Sequence, residues 1–219
     1  MKKEYIFKHT PTSDELVDKI RKDIPNFISG KRLNHTFFVE KEAITIAQVF
    51  FLVYNISVEY LNDIRAAALL HDMTKQMDME KQIDLCREFG IDADSYISDA
   101  IIHGKTAAFL ARKLYGINDV VFSAIYSHTT GNDCMNIFDK IIFLADYTEE
   151  SRTHEHCITT RTFLHNGLLN KDDDVSVTID KAILLSIDGT LSHLIGTGKE
   201  IDIQTVRTRN FILNSLNVE

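Results

Sequence analysis

Proline is nearly absent from this chain, and this scarcity constrains the fold more than any other feature of the sequence. The 219 residues include two prolines, Pro11 and Pro25, and nine glycines. Proline fixes the backbone and lacks a hydrogen-bond donor, so it commonly marks turns and helix ends. Because residues 26–219 contain no proline, nothing divides them into many short strands. We therefore expect an all-α protein with long helices.

The length and hydrophobic content suit a single domain. With 219 residues, of which 44% are hydrophobic, the chain can bury one substantial core. The sequence shows no internal repeat and no linker rich in Gly, Ser or Pro. We predict one compact helical bundle over residues 1–219, with a core at about 30–170. An N-terminal helix at 12–24 and C-terminal helices at 175–215 are expected to pack on this core.

Capping residues and helical periodicity place the individual helices. Thr12 and Glu15 have the spacing of a capping box at the start of the first helix. An apolar stripe predicts a second helix between Asn34 and Asn55, and Ser57 is expected to cap a third helix that ends near Leu70. Later helices are predicted at about 78–89, 105–115, 119–128, 136–148, 175–195 and 202–215, with a mixed segment at 151–170 and an acidic loop and helix start at 172–174.

Charge and composition exclude several classes of partner. The net charge of -8 and the pI near 5.6 disfavour binding of a nucleic acid polymer, although a local cluster of cations could still bind a small anion. The three cysteines, Cys86, Cys134 and Cys157, are far apart and odd in number, which argues against disulfides and thiolate zinc sites and fits a cytoplasmic location. The longest apolar stretch, Val49–Tyr54, is far shorter than the roughly 20 residues of a membrane span, and residues 1–10 lack the apolar run of a leader.

Ionisable residues follow apolar runs at four places in the sequence. They are His71 and Asp72 after Ile64–Leu70, His103 after Ile101 and Ile102, His128 after 124–126, and Asp146 after 141–145. A single histidine in such a place is more often a core residue bonded to a carbonyl than a ligand. A carboxylate is different, because burial without a partner costs several kcal/mol. The residues just before Asp146, Phe143–Ala145, offer no cation, so a bound metal would supply the missing charge.

Histidine and aspartate together favour particular metals. This mixture of nitrogen and oxygen donors suits iron, manganese or zinc better than magnesium, which prefers oxygen alone. Adjacent helical residues diverge by about 100°, so His71 and Asp72 can share one ion only from a helix end. Hydrolysis of a phosphoanhydride would also need fixed positive charge near the metal, which Lys75 and Arg152 could supply.

Several motifs resemble those of the HD superfamily. His35, the pair His71 and Asp72, and Asp146 are similar to its H…HD…D signature. The segments ALLHDMTK at 68–75, IIHGKTAA at 101–108, SHTTG at 127–131 and KIIFLADYTEESR at 140–152 resemble the YqeK-type branch, the symmetrical bis(5'-nucleosyl)-tetraphosphatases. The similarity covers roughly residues 30–200. Asn132 and Glu150 depart from the usual pattern, which holds a basic residue and a proline at those positions.

The resemblance implies an HD-domain bundle that hydrolyses diadenosine tetraphosphate to two ADP, with iron as the expected metal and manganese, cobalt or zinc as alternatives. It implies metal ligation by His35, His71, Asp72 and Asp146, with a second ion possible at His103 and His128, bridged by Asp72. The implied nucleotide-contacting residues are Arg32, Lys75, His103, His128, Thr129 and Arg152, with a looser correspondence at Asp188–Leu194. The implied catalytic residues are Asp72, Lys75, His103 and His128, of which Asp72 or His103 could orient water and a protonated His128 could assist the leaving ADP. A homodimer is also plausible.

Two other functions remain open at this stage. The chain could be a different HD phosphohydrolase that acts on nucleoside monophosphates or cyclic dinucleotides, or a nucleotide-sensing module without turnover.

Two further patterns are interpreted as carrying no information about function. Gly104–Thr106 lacks the preceding glycine of a phosphate-binding loop. His154 and His156, two residues apart, would diverge on a helix and are predicted to be surface histidines.

Overall fold

The structure is a computed structural model that describes residues 4–93 and 99–217. These residues form α-helices and short 3₁₀ turns and contain no strand, so the all-α prediction is confirmed. The helices are α1 (Asp14–Asp23), α2 (Gly30–Tyr54), α3 (Leu61–Leu70), α4 (Met79–Phe89), α5 (Asp99–Tyr115), α6 (Asp119–Ser127), α7 (Ile137–Thr148), α8 (Glu155–Leu169), α9 (Val175–Gly196) and α10 (Ile203–Asn217).

The short helix α3 lies at the centre of the core. Its residues Ile64 and Ala66–Leu70 are all at most 1% exposed, as expected of a helix that is apolar on most of its surface. It packs against α1, α2, α5, α6 and α7. Burial of each large aliphatic side chain contributes about 1.5–3 kcal/mol, so the packing around α3 fixes firmly the position at which the helix ends.

The long helix α2 and the helix α7 flank α3. Ala43, Ile46 and Phe50 of α2 are completely buried, as are Ile141 and Leu144 of α7. The two helices also pack against each other. The polar residues that α2 and α7 carry near the end of α3 are therefore held by helices anchored in the same core.

Two predicted helix starts are wrong for identifiable reasons. Ser13, not Thr12, caps α1, because Thr12 instead donates its hydroxyl to the buried Asp63 carboxylate at 2.7 Å. Helix α5 begins at Asp99 rather than 105 and runs through Gly104. Glycine costs about 1 kcal/mol inside a helix, but at this position it allows close packing, described below.

The segment predicted as mixed, 151–170, contains the regular helix α8. Cys157, Thr160, Leu164 and Leu168 are buried at helical spacing and pack towards α9. Two of these four residues are a threonine and a cysteine, so the apolar stripe is weak in the sequence. Tertiary packing, and not a strong periodic pattern, makes this segment helical.

The acidic run ends as predicted at a helix start. Asp174 caps α9 by accepting hydrogen bonds from the backbone N–H groups of Ser176 and Val177. The three cysteines form no disulfide. Among the described helices, none is both long enough and apolar enough to cross a membrane.

Candidate metal and phosphate site

His71 and Asp72 lie where α3 ends. Leu70 is the last residue of the helix, and the chain then turns. The His71 side chain is fully buried, and that of Asp72 is 4% exposed. The His71 Nε2 atom lies 3.3 Å from Asp72 Oδ2. Both side chains thus face the same point. This arrangement is required if the two residues are to share one ion at the end of a helix.

Four imidazole nitrogens surround the Asp72 carboxylate. Its Oδ1 atom lies 3.0 Å from His103 Nε2 and 3.9 Å from His128 Nε2. Its Oδ2 atom lies 3.3 Å from His71 Nε2 and 3.7 Å from His35 Nε2. Since His35 belongs to α2, His103 to α5 and His128 to the end of α6, four separate parts of the fold meet at one buried carboxylate.

Within this cluster, two groups of three donors could each hold a metal ion. The first comprises His35, His71 and Asp72, and the second comprises Asp72, His103 and His128. In each group the donor atoms lie within 4.8 Å of one another. Asp72 belongs to both groups, so its two oxygens are available to bridge two ions. The number of ions stays a prediction.

Backbone carbonyls orient two of the histidines. The Nδ1 atom of His71 lies 2.7 Å from the Ala68 carbonyl oxygen, and that of His128 lies 2.7 Å from the Ile125 carbonyl oxygen. A carbonyl can only accept, so each Nδ1 carries the proton and each Nε2 presents a lone pair to the cluster. This is the usual way in which proteins fix the tautomer of a metal-binding histidine.

A buried carboxylate orients His35 in the same way. Its Nδ1 atom lies 3.0 Å from Glu149 Oε1. The Nε2 atoms of both His35 and His71 are buried, and no donor among the described residues points at either of them. Burial lowers the pKa of His35, but hydrogen bonds to Asp146 and Glu149 outweigh it and raise this pKa to about 9. Both Nε2 atoms lie beside carboxylates, His35 Nε2 at 3.0 Å from Asp146 Oδ1 and His71 Nε2 at 3.3 Å from Asp72 Oδ2, which fits a site made for a cation.

Asp146 lies at the edge of the cluster. Its Oδ1 atom is 3.0 Å from His35 Nε2, but Asp146 belongs to neither group of three donors. The residues just before Asp146 supply no cation, but Arg152, six residues on, donates to Oδ1 at 2.6 Å. Burial raises the pKa of Asp146, but Arg152 and His35 outweigh it and hold the pKa well below its usual range. Asp146 is thus ionised, and its carboxylate contacts both Arg152 and His35 of the cluster.

The charge states of Asp72 and His128 follow from their neighbours. Burial raises the pKa of Asp72, but the neighbouring imidazoles of His71 and His103 outweigh burial and hold this pKa well below its usual range. Burial, together with His103 and His71, lowers the pKa of His128 to about 3. His128 is therefore neutral near pH 7, which contradicts the suggestion that it acts as a protonated acid.

A cavity of about 390 Å³ opens onto this cluster, and we call it the main cavity. Asp72 and Asp146 line it, whereas His35 and His71 do not. The structure brings together on its wall all six residues predicted to contact nucleotide: Arg32, Lys75, His103, His128, Thr129 and Arg152. Thr190, in the loosely corresponding segment of α9, also lines the cavity.

The cations stand close to the donor cluster. Arg32 Nη1 donates to Asp72 Oδ2 at 2.7 Å, and Lys75 Nζ lies 3.2 Å from His103 Nδ1. The Thr129 hydroxyl is buried and has no hydrogen-bond partner among the described residues. These groups could reach phosphate oxygens placed between them and the cluster.

The sequence reading missed the aromatic wall of the main cavity. Tyr147, His154 and His156 all line it. The His154 and His156 rings are parallel, with an interplanar angle of 3° and centroids 5.5 Å apart. His154 is exposed, as predicted, and His156 is partly buried. The prediction that their rings diverge is wrong, because His154 precedes α8 with a non-helical backbone while His156 lies inside the helix. Helical spacing therefore does not separate their rings.

Glu149 is a second residue that the sequence analysis missed. It contacts His35 and does not line the main cavity. Its side chain is fully buried and also accepts hydrogen bonds from the backbone and hydroxyl of Ser151.

We predict that Glu149→Gln weakens metal affinity about 10–100-fold, the usual cost of losing such an outer carboxylate. Metal titration monitored by calorimetry measures the effect. Glu150→Gln is the matched control, since Glu150 is exposed and pairs with Lys41; equal losses in both variants would contradict the assignment.

Gly104 explains how His128 packs against α5. A Cβ atom at this position would lie 3.0 Å from His128 Cε1 and 3.2 Å from its Nδ1. We predict that Gly104→Ala displaces the His128 ring and lowers turnover about 10–100-fold, because misplacement by about 1 Å can cost this much. Gly196→Ala is the control, since Gly196 is also helical and has open space around it. Steady-state kinetics measure the turnover of both variants. Wild-type turnover in Gly104→Ala would refute the role of Gly104 in positioning His128.

The segment Gly104–Thr106 is no phosphate-binding loop. It lies inside α5, where Lys105 is 4% exposed and donates to the Tyr126 carbonyl at 2.8 Å. The Thr106 hydroxyl bonds to His103 and Thr74. This sequence is therefore used for packing between helices, as the missing glycine indicated.

Comparisons with known proteins agree with this geometry. The model of the HD domain family matches residues 32–151. A symmetrical bis(5'-nucleosyl)-tetraphosphatase from Staphylococcus aureus is 33% identical over 159 residues, which span 71% of this chain and 78% of that protein. A protein of the same name from Halalkalibacterium halodurans is 29% identical over 188 residues, or 85% of this chain and 91% of the relative.

A solved structure extends the likeness to the fold. The crystal structure of a predicted HD superfamily hydrolase involved in NAD metabolism, from Clostridium acetobutylicum, superposes with a TM-score of 0.72. It is 30% identical in sequence, and the match covers 90% of this chain and 97% of that one. The chain therefore belongs to the HD domain family and, within it, to the group of the symmetrical bis(5'-nucleosyl)-tetraphosphatases.

Proposed function

We propose that this protein is a metal-dependent hydrolase that cleaves diadenosine tetraphosphate symmetrically into two ADP. One observation carries the proposal: a buried carboxylate, Asp72, lies within 3.9 Å of four imidazole nitrogens and faces a cavity lined with cations. Buried histidines and carboxylates in such a cluster are costly unless they bind an ion. The names of the relatives from S. aureus and H. halodurans supply the substrate class.

The donor set fits a divalent transition metal. His35, His71, Asp72 and Asp146 would hold the first ion, and Asp72, His103 and His128 would hold a second if one binds. A bound divalent ion lowers the pKa of a water molecule towards about 7 and neutralises charge on phosphoryl oxygens. Iron is our first choice, with manganese, cobalt and zinc as alternatives, because all of them accept mixed nitrogen and oxygen donors.

The residues around the cluster have separate tasks. Arg32 and Arg152 would bind the central phosphates, and their ion pairs with Asp72 and Asp146 hold both guanidinium groups in place. Water attacks one of the two central phosphorus atoms and would pass its proton to Asp72 or His103, while the bond from that phosphorus to the central bridging oxygen breaks. The departing ADP keeps the bridging oxygen as part of a phosphate of low pKa. No protonated His128 is therefore needed.

Lys75 is expected to stabilise the charge that develops on phosphate. Its ammonium lies 3.2 Å from His103 Nδ1, on the cavity wall. We predict that Lys75→Ala keeps its metal but loses about 10²–10³-fold in kcat, the usual cost of removing one such donor. Metal analysis and kinetics of the same sample test this, with Lys75→Arg as the conservative variant expected to recover part of the rate. Unchanged turnover at low and saturating substrate would exclude the role.

Product identification tests the proposal itself. Protein purified without air and loaded with iron, manganese or cobalt is given diadenosine tetraphosphate in water labelled with heavy oxygen. We expect ADP as the only nucleotide product, with label on the terminal phosphate of one of every two ADP molecules. AMP plus ATP, or tight binding without hydrolysis with all three metals, would contradict the proposal.

We also propose a homodimer, the commonest form of soluble oligomer, which light scattering of the purified protein would test.

A further inference from the structure

A second cavity lies beside the main cavity, and we call it the side cavity. Its volume is about 260 Å³. Arg32, Arg152 and His154 line both cavities, so the two share a wall beside the donor cluster. Lys31, Ser151 and Thr153 line the side cavity alone. A molecule that reaches past the two arginines from the main cavity would enter this second space.

The charges of the side cavity suit an anion. Lys31, Arg32 and Arg152 contribute three cations to its wall, in a protein whose net charge is -8. The Glu149 carboxylate also lies there, but it is fully buried and accepts from His35 and Ser151. Arg32 and Arg152 are also paired with Asp72 and Asp146 of the main cavity, and Lys31 adds a further positive charge to the side cavity.

The beginning of α2 adds to this preference. Lys31 and Arg32 are the second and third residues of the helix, and no side chain within the described part of the chain caps its N-terminus. The first N–H groups of a helix and its dipole attract phosphate. The side cavity therefore combines a helix start with three cationic side chains.

The side cavity offers little that would bind a base. Its ring-bearing residues are His35, which faces the donor cluster, and the exposed His154. In contrast, Phe143, Tyr147 and His156 line the main cavity. Stacking surfaces for a nucleobase are therefore concentrated in the main cavity, and phosphate-binding groups in the side cavity.

We propose that the side cavity is a polyphosphate subsite that binds the two phosphates of the nucleotide half lying beyond the cleaved bond. This rests on the function proposed above. Ligand pockets usually measure roughly 300–1,000 Å³ for one drug-sized molecule, so the main cavity of about 390 Å³ suits one nucleotide half. Symmetrical cleavage needs two phosphates on either side of the reacting bond. Arg32 and Arg152, which line both cavities, stand where that bond would lie.

Lys31 is the residue that distinguishes the side cavity. It is exposed and does not line the main cavity. Lys31→Glu should fold normally, because an acidic residue in the first turn of a helix is favourable. It would place a negative charge where we expect phosphate. Lys199→Glu, at an exposed lysine between α9 and α10, makes the same charge change elsewhere.

The test compares two ligands that are not turned over, bound to metal-loaded protein. ADP reports the main cavity, and a diadenosine tetraphosphate analogue with methylene replacing the central bridging oxygen reports both cavities. We expect the analogue to bind wild type more tightly than ADP does. In Lys31→Glu its dissociation constant should rise about tenfold or more, while that of ADP changes less than about twofold and Lys199→Glu behaves as wild type.

Two results would overturn the subsite. One is an unchanged affinity of Lys31→Glu for the analogue, and the other is an equal loss for the analogue and ADP. Neither depends on turnover, so the outcome is separate from that of the product analysis. If the subsite is found but diadenosine tetraphosphate is not cleaved into two ADP, the proposed function fails and the polyphosphate subsite remains.

Discussion

Asp72→Asn should lose its bound metal and at least about 10³-fold in turnover, because a metal contributes several kcal/mol to the transition state and each 1.4 kcal/mol is tenfold. The neutral amide is a weak ligand, and Asp72 is the residue common to both groups of donors. The shape of the side chain is kept, so the loss would report charge and not packing. Metal analysis and steady-state kinetics on one sample measure both effects.

Asp63→Asn is the matched control for this variant. Asp63 is a buried carboxylate on the same helix, α3, and it bonds to His9, Thr12 and Asn118. Its substitution should lower the melting temperature and leave the metal content and turnover per folded molecule as in wild type. If Asp72→Asn kept full metal content while remaining folded, the assignment of Asp72 as a ligand would be wrong.

Asp146→Ala should also lose metal and about 10³-fold or more in activity, by the same loss of the metal's contribution. This variant is the sharper test of the ligand set, because Asp146 contacts His35 and Arg152 but lies in neither group of three donors. A bound ion and Arg152 would both contact the Asp146 carboxylate, whose Oδ1 atom Arg152 already contacts. Metal content is measured after gel filtration without air.

Arg152→Gln separates the two possible roles of Asp146. If Asp146 is a ligand, Arg152→Gln should retain metal and lose about 10²-fold in rate through weaker phosphate binding. If Asp146 serves only to hold Arg152, then Asp146→Ala and Arg152→Gln would show the same rate loss with metal retained in both. That second pattern would remove Asp146 from the proposed ligand set.

The fold could be predicted from sequence where the local signals were strong. The absence of proline after Pro25 and the apolar run before His71 are local facts, and they gave the helical class and the end of α3. Helix α8 was missed because tertiary packing determines it, with Cys157 and Thr160 in its buried stripe. Thr12 was read as a cap because its bond to Asp63 spans 51 residues, and no local pattern reveals such a contact.

The same distinction applies to the candidate site. His71 and Asp72 were found because both residue type and position after an apolar helix are visible in the chain. Glu149 was missed because its role depends on a contact with His35 across 114 positions. Arg152 was expected near phosphate, but its ion pair with Asp146 depends on the turn after α7. The candidate donors can therefore be predicted from sequence, and the structure is needed for the groups that orient them.

The central claim is that side chains from α2, α7 and the end of α3 converge on one cation. An anomalous difference map, recorded at the absorption edge of the metal on crystals of protein purified without air, tests it most directly. We predict a peak within about 2.0–2.2 Å of His35 Nε2, His71 Nε2 and carboxylate oxygens of Asp72 and Asp146. A fully loaded crystal whose metal peak lies elsewhere, or contacts none of these atoms, would contradict the account.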